Sequence, residues 1–372
     1  MMWSILFFSV LAAFVAGIYW LSGAVCKFHC LQKTLPHAGW KRHLLGLLAV
    51  MLLVGILVAC MDVTNAIICF LHLLFFWLLC EVLFSCWKRF TGKSSQFYWA
   101  GVCAILFTTV WLGIGWYNAH HVSSTCYTIS TEKDLGVSQL RIVGLSDSHV
   151  GATFHWQEFE QYIEEINKQN PDAVVIMGDF VDDDTSKEDM EKCCKALSRL
   201  HPKYGVHYVY GNHDGGYFNN SGRGYTLEEL DLNLTENGVH ILRDETIPLV
   251  GNIYLCGRLD KSRDRENRKS ASALMNEAKV KDTDYVITMD HEPNDYAAEA
   301  ASGMDLVISG HTHGGQFIGL GTMGVLMGAN DFYYGHEHRL KTDFIVSSGI
   351  ADWALKFKTG CISEYIIIDL KN

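Results

Sequence analysis

Five short polar clusters in the second half of the chain contain the residue types that bind metal ions in proteins. They are Asp147-Ser148-His149, Gly178-Asp179-Phe180-Val181-Asp182, Gly211-Asn212-His213-Asp214, His291 and Gly310-His311-Thr312-His313. Each cluster follows an apolar run typical of a β-strand. A set that mixes carboxylate, amide and imidazole ligands suits Zn, Fe or Mn better than Ca. The clusters therefore predict a metal site assembled from distant parts of the chain.

Two neighbouring metal ions would give such a site the means to hydrolyse a phosphate ester. Ions about 3.5–4 Å apart lower the pKa of a shared water and hold the oxygens of an in-line displacement. Each cluster alone is weak evidence, since an Asp-x-His pair is most often a turn or a helix cap. All five in this order, each at a strand end, favour a dinuclear site and attack by a metal-bound hydroxide.

The first clusters suggest individual roles for their side chains. If strand geometry continues past Leu145, Asp147 and His149 point the same way and bind one ion together, because side chains alternate along a strand. Asp179 follows a glycine turn, where a carboxylate can span two ions. Asn212 offers a neutral amide oxygen, which binds a metal without adding charge.

The remaining clusters supply imidazole nitrogens and a candidate catalytic pair. His291, His311 and His313 are expected to be ligands. His213 is more useful unligated, as a cation or acid beside the phosphate and the leaving oxygen, and Asp214 is expected to orient it.

Strands and helices alternate around the clusters, which predicts an α/β domain with covered sheets. Strands are expected at 140–145, 173–177, 206–210, 241–255 (a pair around Gly251-Asn252), 285–289, 306–309, 344–348 and 363–369, and helices at 156–167, 187–200, 227–237, 269–277 and 294–301. The strand-rich final third predicts a second sheet. Ligands of open α/β sheets bind beyond the carboxyl ends of the strands, where the clusters lie.

The first third of the chain has a different composition. Residues 1–118 carry two acidic and seven basic side chains, a net charge of +5; since the whole chain is −11, residues 119–372 carry −16. Four apolar runs, 1–26, 44–60, 63–87 and 97–116, are close to or above the roughly 20 residues that cross a bilayer as a helix. We predict a four-span transmembrane region, 1–118, and a catalytic domain, 119–372.

The basic residues predict how a multi-pass protein would be oriented in the cell membrane. Lys27, Lys33, Lys41 and Arg42 lie between the first two runs, and Lys88, Arg89 and Lys93 lie between the last two. Basic loops face the cytoplasm, so the domain is expected on the extracytoplasmic face. The domain has an odd number of cysteines, five, which does not allow full disulfide pairing; this count opposes the outward orientation or indicates a reducing environment. Glu81, inside the third run, is either functional or paired with a neighbouring helix.

The charge of the domain limits its partners. An acidic surface repels polyanions, so we expect no nucleic-acid partner. A small phosphate ester can still bind at bound cations. A chain tethered to a lipid bilayer favours a lipid-linked or envelope-derived substrate.

With these motifs the chain resembles the calcineurin-like metallophosphoesterase superfamily over residues 138–370. The run Met289-Asp290-His291-Glu292-Pro293 and the run from Gly310 to Gln316 are similar to its bacterial membrane-associated branch. The resemblance implies a four-layer α/β/β/α sandwich and two divalent or trivalent ions (Mn, Fe or Zn). It implies one ion held by Asp147, His149, Asp179 and His313, and a second held by Asp179, Asn212, His291 and His311. It also implies that His213 assists at the phosphate and that Asp182 supports the site without binding a metal.

Three functional readings remain open on the sequence. The first is a membrane-anchored hydrolase of a phosphomonoester, phosphodiester or pyrophosphate. The second is a non-catalytic metal-binding sensor or binding module tethered to the membrane, and the third is a transporter or channel with an accessory domain. Arg223, Arg258 and Arg263 are candidate phosphate contacts. Residues 314–340 either border the metal site and shape access to it or form a solvated connection with one aromatic cluster.

Overall fold

The computed structural model describes residues 2–34, 39–93, 95–217, 222–263 and 267–372, with side chains omitted at residues 2–7 and 34. It divides into two compact units, Met1–Ile114 and Gly115–Asn372. Its helices are α1 (Met2–Val25), α2 (His29–Thr34), α3 (Gly39–Cys60), α4 (Val63–Thr91), α5 (Trp99–His120), α6 (Trp156–Lys168), α7 (Lys187–Leu197), α8 (Leu227–Glu236), α9 (Ala271–Ala278), α10 (Tyr296–Ala301) and α11 (Leu320–Leu326). Its strands are β1 (Val122–Ser130), β2 (Gln139–Leu145), β3 (Ala173–Met177), β4 (Val206–Val209), β5 (Val239–Ile241), β6 (Glu245–Val250), β7 (Ile253–Gly257), β8 (Tyr285–Met289), β9 (Leu306–Ser309), β10 (Gly335–Arg339), β11 (Thr342–Val346) and β12 (Ser363–Lys371).

Four helices within the first 120 residues are long and apolar enough to cross a membrane. They are α3, α4, α5 and the Phe8–Val25 part of α1, which match the four apolar runs of the sequence. The break between α3 and α4 has a local cause, because the Asp62 carboxylate accepts a hydrogen bond from the Asn65 N–H at 2.8 Å and caps α4. Glu81 accepts hydrogen bonds from the Lys27 ammonium at 2.6 Å and from the Tyr98 hydroxyl. These contacts favour the interpretation that Glu81 is paired with neighbouring side chains over a functional role for it.

Two six-stranded sheets form the centre of the second unit. The first sheet has the order β1-β12-β2-β3-β4-β5 and the second the order β10-β11-β9-β8-β7-β6. Strands β2 to β5 are parallel, as are β7, β8, β9 and β11. The prediction of a second sheet is confirmed.

Alternating side chains of β3 show how the sheets pack into layers. Val174 and Ile176 lie in a core shared with α6, α7 and α8, whereas Val175 and Met177 lie in the core between the two sheets. A third core joins the second sheet to α9 and α10. The resulting order of helices, sheet, sheet and helices confirms the expected four-layer α/β/β/α sandwich.

Some predicted elements differ from the structure. Ile241 ends β5 of the first sheet and is not part of the β6–β7 hairpin. The final strand, β12, returns to the first sheet, where it pairs parallel to β1 and antiparallel to β2. Strands β1 and β10 and helix α11 were not predicted, and the helix expected at 187–200 ends at Leu197.

Candidate metal centre

The five polar clusters all lie just beyond the carboxyl ends of parallel strands. Three of them follow β2, β3 and β4 of the first sheet, and two follow β8 and β9 of the second. Because the two sheets pack face to face, their strand ends can bring residues distant in sequence into one centre. The centre is therefore supplied by both sheets.

One group of candidate ligands consists of Asp147, His149 and His313. Their ligand atoms lie within 4.8 Å of one another, and all three side chains are buried. The Nε2 atom of His313 lies 3.6 Å from Oδ1 of Asp147. We call these three residues the first group.

A second group consists of Asp179, His291 and His311, whose ligand atoms also lie within 4.8 Å of one another. Asn212 joins this group, since its Oδ1 lies 2.9 Å from Nδ1 of His311 and 3.1 Å from Nε2 of His291. Asp179 faces both groups: its Oδ2 is 3.2 Å from Nε2 of His291 and 3.6 Å from Nε2 of His149. The sequence-predicted ligands are thus brought together, with Asp179 in the central position.

Hydrogen bonds on the outer side of three imidazoles fix which nitrogen faces the centre. The Nδ1 atom of His291 lies 2.7 Å from the Met177 carbonyl, and Nδ1 of His313 lies 3.1 Å from the Ala351 carbonyl. A carbonyl can only accept, so each Nδ1 carries a proton, and in the neutral ring each Nε2 has a lone pair directed toward the centre. His149 is held in the same way by Asp182, at 3.2 Å.

The candidate ligand atoms are arranged to bind cations and not to form hydrogen bonds with one another. The Nε2 lone pair of His291 faces two oxygens, those of Asp179 and Asn212, at 3.2 and 3.1 Å. The Nε2 of His149 is fully buried and has no hydrogen-bond partner among the described residues. A buried acceptor left without a donor costs about 1–3 kcal/mol. Cations among these atoms would remove that cost, so the residues present fit two metal ions with mixed oxygen and nitrogen ligands.

The backbone at the candidate ligands is held in an unusual conformation. Five of them have positive φ angles: Asp147 (52°), His149 (35°), Asp179 (50°), His311 (67°) and His313 (49°). Such strain concentrates at functional sites, where the surrounding structure enforces it. The expectation that strand geometry continues past Leu145 is therefore wrong, because β2 ends there. Asp147 and His149 still converge, through a turn and not through alternation.

Asp214 does not contact the imidazole of His213, so the expected orienting role is wrong. Its buried carboxylate accepts hydrogen bonds from four backbone N–H groups, those of Asp179, Phe180, Val181 and Gly211, at 2.7–3.2 Å. It thereby ties together two of the loops that carry candidate ligands. Burial and the nearby Asp179 charge raise the pKa of Asp214 to about 6.

His213 lies at the edge of the centre and is surrounded by aromatic rings. Its ring centroid is 5.0 Å from that of His149, 4.8 Å from that of Tyr217 and 5.3 Å from that of Trp353. Its backbone N–H donates to Asp179 at 2.8 Å. Burial lowers the pKa of His213 to about 4, which leaves a neutral imidazole beside the two groups.

A buried lysine supports the first group and was missed in the sequence. The Lys358 ammonium donates to the carbonyls of Ser348 at 2.7 Å, Ala351 at 3.2 Å and Gly349 at 3.3 Å. It also lies 3.5 Å from a carboxylate oxygen of Asp352, and both side chains are fully buried. Burial alone would raise the pKa of Asp352, but the Lys358 charge and His313 shift it down.

The loop that Lys358 gathers contacts two residues of the first group. The Ala351 N–H donates to the Asp147 carbonyl at 3.2 Å, and Oδ1 of Asp352 lies 3.4 Å from Nδ1 of His313. Lys358 therefore stabilises the backbone against which both candidate ligands rest. Only its place in the fold reveals this, since one lysine among several carries no signal in the sequence.

The three arginines expected near the phosphate have other contacts. Arg258 is fully buried in an ion network with Asp290, Asp295 and Glu299. The buried guanidinium of Arg223 donates to the Asp214 carbonyl at 2.8 Å. For these two arginines the expectation is wrong.

Arg263 remains at the centre, but as a support for a ligand loop. Its guanidinium donates to the Asn212 carbonyl at 2.8 Å and to the Gly216 carbonyl. Three residues before Arg263 lies Asp260, a buried carboxylate that no sequence pattern indicated. Burial, with nearby Glu292 and Asp179, raises the pKa of Asp260 to about 8.

Comparison with known proteins places these motifs in a family. The family described as calcineurin-like phosphoesterase matches residues 140–315. An uncharacterized metallophosphoesterase of Campylobacter jejuni is 30% identical over 239 residues, which cover 63% of this chain and 59% of that protein. One of Aquifex aeolicus is 30% identical over 51% of this chain and 69% of its own length.

A vertebrate relative shares the membrane character of the chain. A zebrafish (Danio rerio) transmembrane protein with metallophosphoesterase domain is 28% identical over 63% of this chain and 53% of its own length. The chain spans about three-fifths of the length of the first three relatives that it matches. Four apolar helices and a relative of this kind indicate membrane association. From its motifs and these matches, the chain belongs to the calcineurin-like phosphoesterase family.

Proposed function

We propose that the chain is a membrane-anchored two-metal phosphoesterase that hydrolyses a phosphomonoester, phosphodiester or pyrophosphate. The observation that carries the proposal is the position of Asp179, whose Oδ2 faces imidazoles of both groups at 3.2 and 3.6 Å. A carboxylate shared in this way would hold two cations close together. No observation favours the non-catalytic sensor over the hydrolase.

Two bound cations would neutralise the charge of the phosphate and activate the attacking water. Zn, Fe and Mn all suit this ligand set. The chain's own residues divide the remaining work. Asp147, His149 and His313 hold one side of the centre, and Asn212, His291 and His311 hold the other. The network of outer hydrogen bonds keeps their lone pairs aimed inward.

His213 stands where it can act on the substrate. Its ring is next to that of His149 and is not among the residues that converge as candidate ligands. We assign it a hydrogen bond to a phosphoryl oxygen or to the leaving oxygen, which gains strength as charge develops there. Asp214 contributes by holding together the loop that carries Asp179 and the loop that carries Asn212.

The four apolar helices support a location at the membrane, and the negative charge of the domain limits its substrates. We propose that the four apolar helices cross the cell membrane with their basic loops in the cytoplasm and the domain on the extracytoplasmic face. The substrate would then be lipid-linked or envelope-derived. The domain's charge of −16 argues against a nucleic-acid substrate.

Hydrolysis of simple esters by the full chain tests the proposal. An aryl phosphomonoester and an aryl phosphodiester are supplied with Mn, Fe or Zn in turn. We expect turnover with at least one metal and a fall of at least about a hundredfold in Asp179→Asn, because charge stabilisation by the cations is lost. The exposed Asp282 provides the control, and Asp282→Asn should be unaffected.

Two outcomes would contradict the proposal. One is no turnover with any metal, together with a metal content that Asp179→Asn leaves unchanged. The other concerns location: protease added to intact cells should cut the domain, and protection until the cells are opened would reverse the proposed orientation.

A further inference from the structure

Most of the exposed large apolar side chains beyond residue 121 lie in segments that border the metal centre. Beyond residue 121, nine large apolar side chains are exposed among the described residues: Tyr217, Leu227, Leu232, Ile318, Leu320, Met323, Leu326, Leu340 and Trp353. Six of the nine lie in segments that border the centre. Scattered single exposures are ordinary, but a contiguous apolar surface marks a binding site.

Two of the six are aromatic residues in contact with His213. The Tyr217 ring is stacked on that imidazole at 4.8 Å, and the Trp353 ring lies 5.3 Å from it. About half of Tyr217 and 39% of Trp353 are exposed to solvent. Together the two rings form an apolar wall beside the residue that we place at the substrate.

The other four lie on or just before α11, which is fastened to the segment carrying His313. Gln316 donates from Nε2 to the Asp352 carboxylate at 3.1 Å, and Asp352 directly precedes Trp353. A Cβ atom on Gly315 would lie 2.7 Å from Cα of Gly321, so α11 packs closely against the turn at His313. The exposed helix and the two aromatic rings therefore border the same centre.

The composition of this segment is that of a surface that binds apolar groups. Residues 314–330 contain no charged side chain, although residues 119–372 carry a net charge of −16. Ile318 is 69% exposed, Met323 46% and Leu326 81%. An apolar, uncharged surface next to a site for phosphate fits a ligand with one charged end and one apolar end.

We infer that the substrate is an amphiphilic phosphate ester whose alcohol carries acyl or alkyl chains, with the chains lying along α11, Tyr217 and Trp353. The inference rests on the proposed function and names its substrate class. Water attacks phosphorus, one P–O bond forms, the bond to the lipid alcohol or headgroup alcohol breaks, and that alcohol takes the proton. A lipid is favoured over a protein partner because His121 alone separates α5 from β1. The chain thus passes directly from a helix that is able to cross a bilayer into the domain's first strand.

Matched substrates and matched variants of the full chain in non-ionic detergent test the inference. Dihexanoyl phosphatidic acid is compared with glycerol 3-phosphate, and dihexanoyl phosphatidylglycerol with glycerophosphoglycerol. The measured quantity is the ratio of kcat/KM for the acylated ester to that for its deacylated partner. The test variant is Ile318→Ser/Met323→Ser/Leu326→Ser, and the control is Leu232→Ser/Leu340→Ser, which removes exposed apolar side chains outside these segments.

We expect the wild-type ratio to exceed about ten. The test variant should lower the ratio about tenfold, mainly by raising KM for the acylated ester. A tenfold change is roughly the effect of burying two CH₂ groups. The control should keep the wild-type ratio. Native mass spectrometry should show that the test variant retains less dihexanoyl lipid than the control does. A wild-type ratio near one, or equal losses in both variants, would overturn the inference. So would a test variant that keeps the ratio but breaks a dimer of the chain. Turnover of aryl esters without any preference for acylated ones would leave the proposed function intact.

Discussion

Replacing Lys358 by methionine should destabilise the domain strongly. The ammonium is fully buried, lies 3.5 Å from the equally buried Asp352 carboxylate, and donates to three backbone carbonyls at 2.7–3.3 Å. Removing one partner of a buried ion pair costs about 3–5 kcal/mol, because the other charge stays buried without compensation. For a domain of this size that loss lowers the Tm by roughly 6–20 °C.

Differential scanning calorimetry of the full chain in detergent measures this effect. Asp352→Asn and the double variant Lys358→Met/Asp352→Asn complete a cycle. The double variant should lose less stability than the sum of the two single losses, by about 1–3 kcal/mol, because neither charge is then left alone. Lys281 is exposed, and Lys281→Met should change the Tm by less than about 2 °C. A Lys358→Met variant as stable as this control, or a strictly additive cycle, would refute the reasoning.

Three further substitutions test the supports of the centre. A Cβ atom on Gly310 would collide with the Asp147 carboxylate, so Gly310→Ala should abolish most hydrolysis of an aryl ester, whereas Gly215→Ala has open space and should not. Asp182 contacts Nδ1 of His149 and holds that ring in place, so Asp182→Asn should lower the affinity for Mn²⁺ about 10–100-fold, as measured by equilibrium dialysis. Arg258→Met leaves the buried Glu299 carboxylate without its arginine partner, although Asp290 keeps its contact with Arg268, and should cost about 3–5 kcal/mol in a calorimetric scan.

Much of the centre could be predicted because its residues lie in short clusters, each of which directly follows an apolar strand. The strand ends at Met177, Met289 and Ser309 were predicted to the residue. Since parallel strands bring their carboxyl ends to one edge of a sheet, the pattern predicted that Asp179 and Asn212, which follow the neighbouring strands β3 and β4, lie close together. The residue types then indicated the chemistry.

Other features depend on contacts between distant segments, which no local pattern contains. Strand β12 pairs with β1, which joins residues 122–130 to residues 363–371. No polar cluster follows β1, so no motif indicated this strand. Asp214 was expected to orient His213, but its carboxylate accepts hydrogen bonds from backbone N–H groups. Which of these two roles it has depends on the geometry of the turns. Lys358 was not selected and Arg258 was expected at the phosphate, because a sequence does not show which charges are buried with partners.

The number of metal ions bound per chain tests the central claim most directly. The full chain is dialysed against Mn²⁺ and its metal content is measured beside that of Asp179→Asn and Asp282→Asn. The proposed centre predicts two ions in the wild type and in Asp282→Asn, and a loss in Asp179→Asn because both groups share that carboxylate. One ion or none in the wild type, or two ions retained in Asp179→Asn, would contradict it.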